Sequence, residues 1–191
     1  MPRVIAGKYG GMPLQAPKGE HTRPTTDKVK EALFSILQTR IPDSCFLDLF
    51  SGSGQMGIEA VSRGAERAVL VDENRESAAV ISANIAKTGA KAQITFHKRD
   101  VFKTLGALGE SHEKFDIIFM DPPYTSAVTY CSKAAEYICR YGLLQPGGLF
   151  IVEHAAGDAF SENVMNLTLY RRCKYGSTML TFYTTGALGM G

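Results

Sequence analysis

The strongest constraint on how this 191-residue chain folds is a repeated pattern: an apolar, β-rich stretch, a polar or glycine-rich break, then a helix-like stretch. Cys45 to Leu47 runs into Asp48-Leu-Phe-Ser-Gly-Ser-Gly-Gln-Met-Gly57, and Phe115 to Met120 runs into Asp121-Pro-Pro-Tyr124. The pattern predicts strands at 45–50, 67–72, 92–97, 115–120 and 148–153. It predicts helices near 55–63, 74–88 and 126–141, with 101–109 a less regular one because of Gly106 and Gly109. Such alternation argues for a parallel sheet with right-handed crossovers. Runs at 167–175 and 177–184, parted by Gly176, predict a closing hairpin that must add an antiparallel strand.

Ahead of this body, residues 3–15 alternate loosely around Gly10-Gly11 and predict a small β-hairpin. A helix is expected from Thr25 to Gln38, with Val29, Leu33, Ile36 and Leu37 on one face, Thr25 or Thr26 as N-cap and Asp27 at the positive end of the dipole. Pro42 ends that unit, so the chain divides into an extension, 1–42, and a body, 43–191. No apolar run reaches the roughly 20 residues a membrane helix needs. The first residues lack the layout of a signal peptide. Cys45, Cys131, Cys139 and Cys173 form no C-x-x-C pair, and the four histidines show no metal spacing. The expectation is a metal-free monomer with buried thiols in a reducing cytoplasm.

Net charge is only +2 but unevenly spread. Residues 1–40 hold seven Lys or Arg against three acids, a local +4 that leaves −2 for the rest. A basic segment on a near-neutral body suits a polyanion docked on one side, a chance surface imbalance being the alternative.

The strand ends carry the chemistry, because open α/β sheets bind ligands at the carboxyl ends of their strands. Gly52-Ser-Gly54-Gln-Met-Gly57 satisfies a dinucleotide fingerprint, and Asp72 stands 20 residues past Gly52, where a ribose-binding carboxylate belongs. Asp48 discriminates. A pyrophosphate at this turn would be repelled by it, whereas the sulfonium and ammonium groups of S-adenosyl-L-methionine would gain. A nicotinamide cofactor is the alternative, as is a bare turn. Phe50, Ser51, Gly52, Ser53 and Gly54 of the turn, with Asn74, complete the expected cofactor contacts. Asp72 is also a candidate N-cap for the helix at 74–88, and both roles are compatible. Asp100 could accept from an adenine amine with Val101 or Phe102 against the ring, or cap the next helix.

Asp121-Pro122-Pro123-Tyr124 is the most specific element. Two prolines remove two backbone donors and leave carbonyls. An acidic side chain, a bare carbonyl and an aromatic ring suit a planar group bearing an NH₂, although a rigid Pro-Pro turn alone would also fit. Asp121 and the Pro122 carbonyl can each accept one amine hydrogen while Tyr124 stacks. Holding both hydrogens draws the nitrogen toward tetrahedral geometry and aims its lone pair at the methyl group, so catalysis rests on positioning and electrostatics.

These residues resemble a known family. Asp48-Leu-Phe-Ser-Gly-Ser-Gly with Asp-Pro-Pro-Tyr is similar to class I S-adenosylmethionine-dependent amino-methyltransferases. The run Arg23-Pro-Thr-Thr-Asp-Lys-Val-Lys-Glu-Ala-Leu-Phe34 resembles the bacterial 16S ribosomal RNA guanine-N2 methyltransferases that act on a small-subunit hairpin loop. The likeness spans Val4-Ile-Ala-Gly7 to Lys174-Tyr-Gly-Ser-Thr-Met-Leu180. It implies a Rossmann-like, mostly parallel seven-stranded sheet with helices on both faces, the last strand antiparallel, and an N-terminal hairpin and helix. It further implies that Arg23 and Thr25 close over the cofactor's methionine end, that Asp121 to Tyr124 hold guanine, and that 16S rRNA or a small-subunit assembly intermediate is the partner. Where the family usually carries basic hairpin residues, this chain has Gly10-Gly11-Met12-Pro13. The RNA grip is therefore expected from Lys18, Arg23, Lys28, Lys30, Arg171, Arg172 and Lys174. An adenine-N6 methyltransferase would use the same Asp-Pro-Pro-Tyr. A nicotinamide oxidoreductase and a non-catalytic RNA-binding module fit less well.

Overall fold

The computed structural model describes residues 2–17 and 26–186, which fall into two compact units, Met1–Val101 and Phe102–Gly191. In the first unit, Pro2 to Leu14 fold back on themselves. Val4 N–H donates to the Met12 carbonyl at 2.9 Å, Leu14 N–H to that of Pro2 at 2.8 Å, and Arg3 bridges Pro13. This is the expected hairpin, held by single bridges rather than by long strands. Helix α1 (Asp27–Ile36) starts at Thr26, whose hydroxyl accepts from Val29 N–H at 3.3 Å. Its buried stripe is Val29, Lys30, Leu33 and Phe34, and Phe34 stacks on Phe46 at 6.2 Å.

Strand β1 (Cys45–Leu49), helix α2 (Gln55–Ser62), strand β2 (Arg67–Val71), helix α3 (Arg75–Thr88) and strand β3 (Ile94–His97) follow. The three strands lie parallel in the order β3-β2-β1, with Asp48 beside Leu70 and Leu70 beside Phe96. All of α2 is buried. Gly57 is the reason it can sit so close to the sheet: a Cβ there would lie 2.1 Å from Leu70 Cδ2. Gly7 does the same for the hairpin. It is left-handed, at φ 82°, and its Cβ would lie 1.9 Å from the Ser62 carbonyl oxygen.

The second unit contains helix α4 (Val101–Glu110), whose first residue falls at the unit boundary, then strand β4 (Phe115–Met120), helix α5 (Ala127–Tyr141) and strand β5 (Leu144–Ala155). Strands β6 (Asn163–Val164), β7 (Leu167–Tyr175) and β8 (Thr178–Thr184) close it, in the order β4-β5-β8-β7-β6. β4 and β5 are parallel; β8 runs antiparallel to β5 and to β7. The α/β class and all seven expected strands are present. β6 is an eighth strand among the described residues, too short at two residues to leave a periodic signal. β5 also begins earlier than expected, carrying Pro146-Gly147-Gly148 through a register shift against β4. Among the described residues no helix is long and apolar enough to cross a membrane.

Candidate functional site

In the first unit the carboxyl ends of β1 and β2 converge on the glycine turn. Phe50, the first residue past β1, is left-handed at φ 62°, a strained conformation for a side chain of this size. Gly52 and Gly54 continue the turn at φ 55° and 75°, and α2 starts with no side-chain cap. Asp72 fastens this loop. One carboxylate oxygen accepts from Gly52 N–H and the other from Asn74 N–H, both at 2.8 Å. Burial raises the Asp72 pKa, with the Asn74 and Gly52 N–H groups opposing. A side-chain hydrogen bond from Ser77 also favours the charged form. The cap of α3 is Asn74, whose side chain accepts from Glu76 and Ser77 N–H. Asp72 is therefore not the cap that the sequence left open.

Two expected contact residues also make internal hydrogen bonds. The Ser51 hydroxyl donates to the Asp48 carbonyl at 2.7 Å and accepts from Val71 N–H at 2.9 Å, pinning β1 to β2. Asp48, only 1% exposed, lies under the turn with its carboxyl 3.4 Å from Gly57 N–H. Burial pushes its pKa from 3.8 up to about 8. Burial thus holds this carboxyl well above the ordinary carboxylate range, a shift that the turn motif alone does not announce. The folded chain binds this proton more tightly than the unfolded one, so the associated stability is complete below pH 3.8 and disappears as pH rises through about 8. Urea unfolding across that window should show the decline, and Asp48→Asn should flatten it. An unchanged pH slope would rule out Asp48 as its source.

Sequence reasoning missed two buried polar residues. Asn84, on the buried stripe of α3 with Ile81 and Ile85, exchanges hydrogen bonds with the Gln15 backbone (2.8 and 3.0 Å) and donates to the Ser53 carbonyl at 2.8 Å. It ties the N-terminal segment to the glycine turn. Glu59 of α2 accepts from Ile5 and Ala6 N–H at 2.7 and 3.0 Å and from Arg63 Nε at 2.7 Å. A polar residue at apolar helical spacing was the available signal for Asn84.

Lys30 requires correction. It was expected on the RNA-facing surface, yet it is fully buried. Its Nζ donates to Gln55 Oε1 at 3.0 Å and to the Arg3 carbonyl, and lies 3.9 Å from Glu59. Position 30 shares the stripe of Leu33, Phe34 and Leu37, which the helix turns inward. Lys28 is exposed, as expected. Lys18, Arg23 and Thr25 lie outside the described residues.

In the second unit, Asp121 leaves β4 half-buried, Pro122 is buried and Pro123 exposed. Tyr124 opens a short 3₁₀ turn into α5; its side chain lies outside what the structure describes. Arg171, Arg172 and Lys174 are exposed on β7, where Arg172 donates to the Phe160 carbonyl at 2.6 Å. Val101 is buried at the start of α4, with Asp100 half-buried before it. Among the described residues no group of three or more His, Cys, Asp or Glu could hold a metal ion.

A glycine turn strapped by a strand-end acid, on parallel strands with an Asp-Pro-Pro-Tyr strand end in the same chain, defines a Rossmann-like group-transfer fold. Residues 2–184 match the family described as conserved hypothetical protein 95, and the chain belongs to that family. YlbH of Bacillus subtilis is 34% identical over 181 residues, covering 95% of this chain and 97% of its own length. Ribosomal RNA small subunit methyltransferase D of Escherichia coli K12 is 30% identical over 188 residues, covering 98% and 91%. The solved structure of a hypothetical protein from Thermus thermophilus superposes with TM-score 0.82 at 30% identity, over 95% of this chain and 98% of that one.

Proposed function

We propose that this protein is an S-adenosylmethionine-dependent ribosomal RNA methyltransferase that modifies the exocyclic N2 of a guanine in a small-subunit hairpin loop. The observation that carries the reading is Asp121-Pro-Pro-Tyr124 at the end of a buried strand, in a chain that matches its rRNA methyltransferase relative almost end to end. The first unit's residues fit the donor. The left-handed turn leaves open space beside Gly52, and Asp72 presents acceptors at the end of β2. When bound, S-adenosylmethionine supplies an electrophilic methyl group on a sulfonium. Asp121 and the Pro122 carbonyl accept the two hydrogens of the amine, orient its lone pair, and hold the proton that must leave as the N–C bond forms. Tyr124 stacks on the base. The base reaches it by leaving its own stack, which costs less in a loop than in a duplex.

Adenine-N6 methylation is the competing reading, because adenine also presents an exocyclic amine. The deciding experiment incubates the protein with labelled donor and small-subunit ribosomal RNA, then identifies the modified nucleoside by mass spectrometry. N2-methylguanosine is the expected product; N6-methyladenosine, or no methyl transfer to either RNA or assembled subunits, would overturn the assignment.

Asp72→Ala should weaken the donor by about 1.5–3 kcal/mol, roughly 10- to 150-fold, since it removes hydrogen bonds made to a charged acceptor. RNA affinity should change little. Calorimetry with the donor tests this, and unaltered donor affinity would leave Asp72 as a fastener of Gly52 and Asn74 alone.

A further inference from the structure

β7 is the outer strand of the second unit over most of its length. Its pairing with β6 covers Leu167 and Thr168, and Leu169 N–H donates to the Glu162 carbonyl at 2.6 Å, so the backbone faces outward on the side away from β8 from Tyr170 onward. The segment Leu169-Tyr-Arg-Arg-Cys-Lys-Tyr175 carries three cations and no acid. Its pairing with β8 slips between Leu169 and Arg171, leaving Tyr170 as the extra residue of a bulge. Bulges re-aim side chains, and Tyr170 is 46% exposed, an unusual position for a large aromatic. Met165, left-handed at φ 54° and 61% exposed, stands at the same end of the strand. The strip is also aligned with the acceptor strand. Met120, Val152, Thr181 and Arg172 pair in one row across β4, β5, β8 and β7, and Asp121 follows Met120 directly. Three strand spacings put that row about 14 Å long.

We propose that the outer edge of β7 docks a single-stranded RNA segment flanking the target nucleotide, with Tyr170 stacking on a base and Arg171 and Lys174 neutralising phosphates. Arg172 contributes less, because its guanidinium is engaged by the Phe160 carbonyl. Unpaired bases offer their π-faces to an exposed ring, and a strand edge rich in cations tracks a phosphate backbone. A protein partner is the poorer fit, since three cations within four residues, without an acid, favour a polyanion. The proposal rests on the ribosomal RNA reading above and adds to it a surface and a division of labour.

The two kinds of contact predict separable signatures. With the full chain and a labelled RNA stem-loop carrying an unpaired loop, Tyr170→Ala should weaken binding about 5- to 150-fold, the range for one lost base–aromatic stack, without changing the salt dependence. Tyr170→Phe should bind as wild type. Arg171→Ala and Lys174→Ala should each lower the slope of log affinity against log salt by about one. Donor affinity should stay unchanged in all four variants. Wild-type affinity and slope in both Tyr170→Ala and the Arg171→Ala/Lys174→Ala double variant, alongside active wild-type protein, would overturn the strip while leaving the methyltransferase reading intact. So would defects seen only on protein-containing subunits, which would indicate a protein partner. Wild-type protein that methylates no RNA would instead sink the functional reading, and the strip with it.

Discussion

Asp121→Ala is expected to lower kcat roughly 10²- to 10³-fold, the loss typical of removing one pre-organised hydrogen-bonding partner of a transition state. The nucleophile in the proposed reaction is an amine whose lone pair is delocalised into a purine ring. Little in the ground state depends on bending that nitrogen; nearly all of the barrier does. The carboxylate therefore acts where charge and geometry change, and its loss should fall on kcat more than on RNA KM. Donor affinity should hardly move, since Asp72 and the glycine turn, not Asp121, face the donor in this reading. Asp121→Asn keeps one acceptor oxygen and should fall between alanine and wild type. Steady-state kinetics with RNA varied, beside calorimetry of the donor, separates the alternatives. A variant that keeps its kcat but loses donor affinity would move Asp121 into the cofactor site.

Elements announced by periodicity and punctuation were legible in the sequence. β1, β2 and β4 are buried apolar runs ended by acids, α3 lies between Asn74 and Gly89, and the last two strands are parted by Gly176. Local signals reached the strand-end acids too, because a carboxylate at the end of an apolar strand is chemically conspicuous. What stayed hidden was the destination of polar groups that the fold buries in pairs. Lys30 reads as a surface cation until Gln55 and Glu59, 25 and 29 residues further on, arrive to receive it. Ser51 and Asp48 read as ligand contacts because they lie in the turn. The structure shows that one faces the neighbouring strand and the other the helix start. Position in a motif predicts proximity to a site, but not which way a side chain turns.

The second large effect is structural, at Glu59. Both Glu59 and Lys30 are fully buried, and the carboxylate also holds Ile5 N–H, Ala6 N–H and Arg63. Glu59→Ala leaves a buried ammonium without its countercharge and two backbone donors without their acceptor. Breaking a buried pair in this way typically costs about 3–5 kcal/mol. Thermal and urea unfolding should register it, with the hairpin among the first segments to lose protection in hydrogen exchange. Two further measurements isolate the cause. Adding Lys30→Met to Glu59→Ala should recover the part due to the stranded charge but not the part due to the two N–H groups. The pH dependence identifies the charge itself. Burial already lowers the Lys30 pKa below its ordinary 10.5, while Glu59 raises it, so removing Glu59 must lower it further. A depressed lysine contributes stability that is present above its unfolded pKa and lost as pH falls through the folded one. The Glu59→Ala deficit should therefore be large at pH 7 and shrink toward about pH 10, as Lys30 sheds its proton in both states. A deficit that stays constant over that range would place the loss in the hairpin's backbone hydrogen bonds rather than in the ion pair.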